Sequence, residues 1–150
     1  MELILWRHAE AEDGFPDMDR KLTKKGQQQA HAMATFLNKH LPPAPCILVS
    51  PAKRTQQTAQ PLNRTFLTES RISPGCSTQD ILQAANWPND NGCVLIVGHQ
   101  TVLGEVAGLL MTGKPQHWSV KKGAVWWFSS REREGDAQIV LRLSISPDFL

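Results

Sequence analysis

The sequence predicts an α/β three-layer sandwich: a mostly parallel central sheet with helices on both faces and an antiparallel edge. Three observations carry that expectation. Short apolar runs at residues 2–6 and 93–97 lack the alternation of a half-buried strand and read as interior parallel strands, covered above and below. Segments with the i, i+3, i+4 apolar spacing of helices alternate with such runs, the order that builds βαβ units. The last two apolar runs have only a charged, Gly-containing loop between them and read as an antiparallel pair. A single domain, residues 1–150, is expected, because no repeat or flexible linker divides the chain. At this size a domain buries about 68–70% of the surface its unfolded chain exposes, enough for one core without staples.

Taken in order, residues 2–6 form the first strand and residues 9–21 a polar loop. Thr23 then caps a helix whose apolar positions Ala30, Met33, Ala34, Leu37 and Leu41 share one face, and Pro42 and Pro43 stop it. Residues 46–50 are a second short strand, followed by a helix opening at Ala52, Lys53 and Arg54 with Pro51 in its first turn. A third strand at 66–69, a third helix at 78–85 and a buried fourth strand at 93–97 follow. Gly98 and His99 lead into a helix with Val102, Leu103, Val106, Ala107, Leu109 and Leu110 on its buried side. Residues 124–129 and 139–145 are the closing strands, with residues 131–136 as the charged loop between them.

Composition narrows the function classes. Hydrophobic residues make up 41% and charged residues 20% of the chain, ordinary for a folded domain, and no stretch approaches the ~18 apolar residues of a membrane span. A net charge of +2, from 16 basic and 14 acidic residues dispersed along the chain, leaves no nucleic-acid footprint. The N-terminus, with an acidic second residue and a very short apolar run, does not resemble a secretory signal, so a cytoplasmic location is expected. Cys46, Cys76 and Cys93 are odd in number, widely spaced and outside any C-x-x-C pair, which reads as free thiols, not a disulfide framework or zinc cage. His8-Ala9-Glu10 matches the H-x-E of zinc deaminases, but Pro45-Cys46 is followed by Ile47-Leu48-Val49 and not by a second cysteine. No metal and no cofactor is expected.

In open parallel sheets, ligands bind beyond the carboxyl ends of the strands. Arg7-His8 ends the first strand, Ser50-Pro51-Ala52-Lys53-Arg54 follows the second, and Gly98-His99 ends the fourth. Singly, each has an ordinary explanation as a surface charge or a hydrogen-bonded histidine. Together, Arg7, His8, Arg54 and His99 make a cationic pocket whose mutual repulsion is relieved best by a dianion such as phosphate. Arg54 near its helix start, and the peptide N–H of Gln100 after His99, add donors of the kind that bind anions. Neutral imidazole attacks phosphorus when its other nitrogen holds the proton and is fixed by a backbone carbonyl, and His8 is the candidate for that role.

Four motifs in order carry a family resemblance. Leu5-Trp6-Arg7-His8-Ala9-Glu10 resembles the Arg-His signature of the histidine phosphatase superfamily, the phosphoglycerate-mutase-like group, with Ala9 in place of the more usual glycine. Leu22-Thr23-Lys24-Lys25-Gly26-Gln27-Gln28-Gln29-Ala30 is similar to its Leu-Thr-x-x-Gly-x-x-Gln-Ala helix start, and Ser50 to Ala59 to its Ser-Pro-x-x-Arg-x-x-x-Thr-Ala block. Val97-Gly98-His99-Gln100 completes the set, and the short length resembles the SixA type of phosphohistidine phosphatase. The resemblance implies a metal-independent phosphatase with His8 as the phosphorylated nucleophile, Arg7 and Arg54 as phosphate clamps and His99 stabilising the transferring group. Arg20 is implied as a rim contact, Gln100 as a substrate-binding donor, and phosphate or sulfate as an occupant of the site.

Many superfamily members also carry a Glu or Asp after the third strand that protonates an alkoxide leaving group. Residues 70–77 of this chain hold no carboxylate. A phosphorylated imidazole can be protonated beforehand on its other nitrogen, because such a ring titrates near pH ~6.5. The expected substrate is therefore a phosphohistidine on a partner protein, such as a phosphotransfer domain. Glu10, Glu12, Asp13, Asp17 and Asp19 in the first loop stay open as acids. A small-molecule phosphomonoesterase (of a sugar phosphate, nucleotide or ribazole phosphate) and a non-catalytic phosphoprotein-binding module stay open as functions. Trp118, Lys121 and Lys122 are candidates for a docking surface, or for core packing and solvation.

Overall fold

Leu3, Ile4, Leu5 and Trp6 are each 0% exposed, so the first strand has no solvent face. Its side chains alternate between two cores. In the computed structural model, which describes residues 1–150, Leu3 and Leu5 of β1 (Glu2–Arg7) pack with Leu48, Val94, Ile96 and Phe128 on one side of the sheet. Ile4 and Trp6 pack with Ile47, Val49, Leu95 and Val97 on the other. Burying each such side chain stabilises the fold by about 1.5–3 kcal/mol relative to exposure.

The order after β1 is α1 (Lys24–His40), β2 (Cys46–Val49), α2 (Lys53–Ala59), β3 (Leu67–Thr68), α3 (Thr78–Ala84), β4 (Cys93–Gly98), α4 (Val102–Thr112), β5 (Val125–Arg133) and β6 (Asp136–Ile145). The sheet runs β3-β2-β4-β1-β5-β6; β3, β2, β4 and β1 are parallel, while β5 and β6 add an antiparallel edge. Met33 and Leu37 of α1 and Ala59 of α2 cover one face. Ile81 of α3 with Leu103 and Val106 of α4 cover the other, completing three layers. β1 and β4 lie side by side, yet their following helices go to opposite faces. That divergence opens a crevice at the strands' carboxyl ends.

Local chemistry explains the element ends. Thr23 caps α1, its hydroxyl accepting from the Gly26 N–H at 2.9 Å, and α1 stops at Leu41, ahead of Pro42. Ser77 and Asp80 form a capping box on α3.

Three expectations need correction. The helix after the second strand opens at Lys53 with Ala52 as its cap, so Pro51 precedes it and does not occupy its first turn. Residues 131–136 are not a loop: β5 and β6 continue, pairing Arg133 with Asp136, and the turn is only Glu134 and Gly135, both at positive φ (54° and 83°). Leu109 of α4 is half-buried; Gly104 and Gly108 take the inner face because backbone lies against them. A Cβ at Gly104 would meet the Trp118 carbonyl oxygen at 1.7 Å, and one at Gly108 the Gln116 oxygen at 2.7 Å. All three cysteines are free, with Cys93 buried, Cys76 half-buried and Cys46 exposed. No helix is long and apolar enough to cross a membrane.

Candidate active site

β1 carries Arg7 and His8 into the crevice, where neighbouring backbone holds them. The His8 N–H donates to the Gly98 carbonyl at 3.0 Å and its carbonyl accepts from Gly123 at 3.0 Å, so β4 and the loop before β5 brace the residue from two sides. The Arg7 guanidinium donates to the Val120 carbonyl at 2.8 Å.

His8 is only 8% exposed, and its Nδ1 lies 2.7 Å from the Ala9 carbonyl oxygen. A carbonyl oxygen can only accept, so Nδ1 holds the proton and Nε2 keeps its lone pair. Ala9 is itself anchored: its N–H donates to Thr58 Oγ1 at 3.0 Å, and the Thr58 hydroxyl donates to the Arg54 carbonyl at 2.7 Å. α2 thus fixes the ring through one peptide.

The His99 ring lies across from it, with centroids 5.4 Å apart. Its Nε2 is 2.7 Å from Ser50 Oγ, an oxygen that also accepts from the Ala52 N–H at 3.4 Å. With the Ser50 hydroxyl donating to Nε2, the His99 proton sits on Nδ1. That atom is buried and has no partner within the protein; the same is true of Arg7 Nε and Arg54 Nε. Three nitrogen donors at one crevice are thus unsatisfied by the fold, the usual mark of a site rather than of a core.

Arg54 is 4% exposed and reaches the first loop, where its guanidinium donates to the Asp17 carbonyl at 2.8 Å and to the Asp17 carboxylate at 3.1 Å. Arg20, expected at the rim, is bound to its own loop, donating to the Glu12 carbonyl at 2.8 Å and to Asp17 Oδ1 at 3.2 Å. The Gln100 side chain is likewise engaged, accepting from the Gly104 N–H at 3.2 Å and donating to the Trp118 carbonyl at 2.7 Å. α4 begins at Val102, two residues later than expected, so the Gln100 N–H precedes the helix and is not its first residue.

Burial, and then the Arg54 and Arg7 charges, lower the His8 pKa to about 4 against the opposing Ala9 bond. Burial, and then His8 and Arg54, lower that of His99 to about 3. Both rings are neutral at physiological pH. In a titration followed by ring C–H resonances, midpoints near 4 and 3 are expected. Midpoints at the ordinary ~6.5 would contradict this picture. Unfolded histidines take up protons below about pH 6.5, whereas these two resist until near 4 and 3, so both subtract from stability as pH falls through that window and no further below it.

Two carboxylates are held ionised. Arg20, then Arg54, keep Asp17 below the usual carboxylate range, and Arg71 holds Glu69, which follows β3, at about 2. Glu10 accepts from the Thr23 hydroxyl at 2.8 Å. Neither Asp17 nor Glu69 has a proton to give at neutral pH.

The crevice brings His8, Arg7, Arg54 and His99 together. The sequence places Ser50 and Thr58 in the strand-end motif and leaves Asp17 open as an acid, but gives no sign that Ser50 holds His99, that Thr58 holds the Ala9 peptide or that Asp17 pairs with Arg54.

Comparison with known proteins agrees. A model of the histidine phosphatase superfamily (branch 1) matches residues 3–80, which include Arg7, His8 and Arg54 but end before His99. A phosphohistidine phosphatase SixA homolog from Haemophilus influenzae is 31% identical over 126 residues, covering 73% of this chain and 77% of that one. The solved structure of a Nakamurella multipartitia protein assigned as a SixA phosphohistidine phosphatase is 27% identical, with a TM-score of 0.77 over 97% of this chain and 95% of that one. A SixA protein histidine phosphatase complexed with tungstate shares the fold with a TM-score of 0.78 at 22% identity over 99% of both chains.

Proposed function

The chain belongs to branch 1 of the histidine phosphatase superfamily, and from that premise we propose that it is a phosphohistidine phosphatase acting on a partner protein through a covalent phospho-His8 intermediate. One observation carries the reading: a fixed imidazole lone pair at His8 Nε2 shares its crevice with the unsatisfied donors Arg7 Nε, Arg54 Nε and His99 Nδ1. A phosphoryl group supplies the oxygens those donors lack.

In the first step the Nε2 lone pair forms a bond to phosphorus while the substrate's N–P bond breaks, its electron pair returning to the leaving imidazole. That imidazole is already protonated on its other nitrogen and departs neutral. Water then attacks, the His8–phosphorus bond breaks back to Nε2, and both protons of the water leave with the dihydrogen phosphate formed. Arg7, Arg54 and His99 offset the charge on the equatorial oxygens throughout, with no step assigned to a metal.

The ionised state of Asp17 and Glu69 supports this substrate over an alcohol ester, whose alkoxide needs a proton donor. A general acid contributes typically about 10²–10⁴-fold, so kcat/KM on a phosphohistidine peptide is expected to exceed that on a phosphoserine peptide of the same sequence by at least ~10². Turnover should persist in chelator. Preference for the ester would overturn the assignment.

A further inference from the structure

Beside Arg7, the surface opens into a groove of about 440 Å³ whose charged lining is Arg7, Lys25, Lys121 and Lys122 against one carboxylate, Asp148. The whole chain carries a net charge of only +2, so this is a local concentration of positive charge and not an average property. Backbone hydrogen bonds tie the groove to the reacting residue. Gly123, next to Lys122, donates to the His8 carbonyl at 3.0 Å, and Arg7 binds the Val120 carbonyl at 2.8 Å, so the lysine loop is pinned to β1 at the site itself. Lys121 and Lys122 are exposed on that fixed base, and Lys25, also exposed, faces the groove from the first turn of α1. The groove runs on, through shared Ser119 and Lys121, into a second hollow of about 540 Å³ lined by Ala124, Trp126, Ile145 and Phe149. Trp118 braces Trp126 edge-on at 5.5 Å, and Phe149 is 79% exposed.

We propose that this groove is the docking surface for the protein that carries the phosphohistidine, and that it selects partners with acidic residues flanking the phosphorylated histidine and an apolar side chain farther along. The proposal rests on the phosphohistidine reading above. Charge complementarity fixes the partner's sign. A cationic surface that adjoins a cationic crevice attracts anionic segments from a distance, and it repels a basic partner before any contact forms. Combined, the two hollows far exceed the needs of a phosphoryl group and suit several residues of extended chain at about 3.3 Å each.

The test uses three probes: free phosphohistidine, a phosphohistidine peptide flanked by glutamates and the same peptide flanked by lysines. The full-length protein should favour the glutamate peptide over the lysine peptide by about tenfold or more in kcat/KM, and that preference should fade as salt shortens electrostatic range. The variant Lys25→Glu/Lys121→Glu/Lys122→Glu should lose or invert the preference and retain turnover of free phosphohistidine. A Lys→Gln triple variant, with a circular dichroism spectrum matching the parent, should abolish the preference without inverting it and guards against misfolding. Equal rates on both peptides, or an equal loss on free phosphohistidine in the folded variants, would overturn the docking surface alone. Failure of the unaltered protein on all three probes would overturn the phosphohistidine reading, and the docking proposal with it.

Discussion

Replacing His8 with alanine is expected to lower kcat on a phosphohistidine peptide by roughly 10⁴–10⁶-fold, the scale at which removing a covalent nucleophile acts. The size follows from what His8 contributes. Its Nε2 is the atom to which the phosphoryl group would bond, and the neighbouring His99 is no ready substitute, because its Nε2 is tied to Ser50. The donors around the phosphoryl group are untouched by the substitution. Tungstate or phosphate should therefore still bind His8→Ala with an affinity close to the parent's, which separates lost chemistry from lost folding. A steady-state assay with anion-binding calorimetry on the same sample checks both. Residual turnover within tenfold of the parent would show that water attacks the substrate directly.

Arg54→Lys should cost roughly 10²–10³-fold in kcat, comparable to removing one oxyanion-hole donor. Arg54 is 4% exposed and uses two of its nitrogens on Asp17, at 2.8 and 3.1 Å, while its Nε has no partner within the protein. A guanidinium can serve both partners because its donors form a rigid fork; an ammonium is a point charge and must choose. The same exchange at Arg20, whose bonds go to Glu12 and Asp17 in its own loop, should act only through the position of that loop and cost much less. Kinetic comparison of the two variants distinguishes a contact to the reacting group from a general loss of positive charge. Equal losses would favour the latter.

The parts of the fold that were legible in the sequence are those where burial dictates residue type. β1 and β4 must be apolar on both faces because helices cover both, and that requirement is written into Leu3–Trp6 and Val94–Val97. The charged stretch Arg131–Arg133 gives no such signal. It is exposed strand extending past the covered sheet, where solvent permits any side chain, so only the turn at Glu134-Gly135 marks the hairpin. Leu109 departs from its expected place for a different reason: Gly104 and Gly108 take the inner positions because the Gln116–Trp118 backbone lies on α4, a contact between segments that no helical period encodes. At the site, titratable residues at strand ends announced themselves. The hydroxyls of Ser50 and Thr58 did not, because a buried Ser or Thr can satisfy itself on local backbone anywhere, and their bonds to His99 and to the Ala9 peptide arise only once β1, β2, α2 and β4 are assembled. Asp17 was legible as a loop carboxylate but not as the counter-ion of Arg54, a pairing 37 residues apart in the chain.

The most direct test of the account is the identity of the phosphorylated atom. Rapid acid-free quenching during turnover, alkaline digestion and separation of the two phosphohistidine isomers reports which ring nitrogen of which residue has taken the phosphoryl group. Because the Ala9 carbonyl holds the His8 proton on Nδ1, the label is expected on Nε2 of His8 alone and should vanish in His8→Ala. Label on Nδ1, on His99, or on no histidine while substrate is being consumed would contradict it.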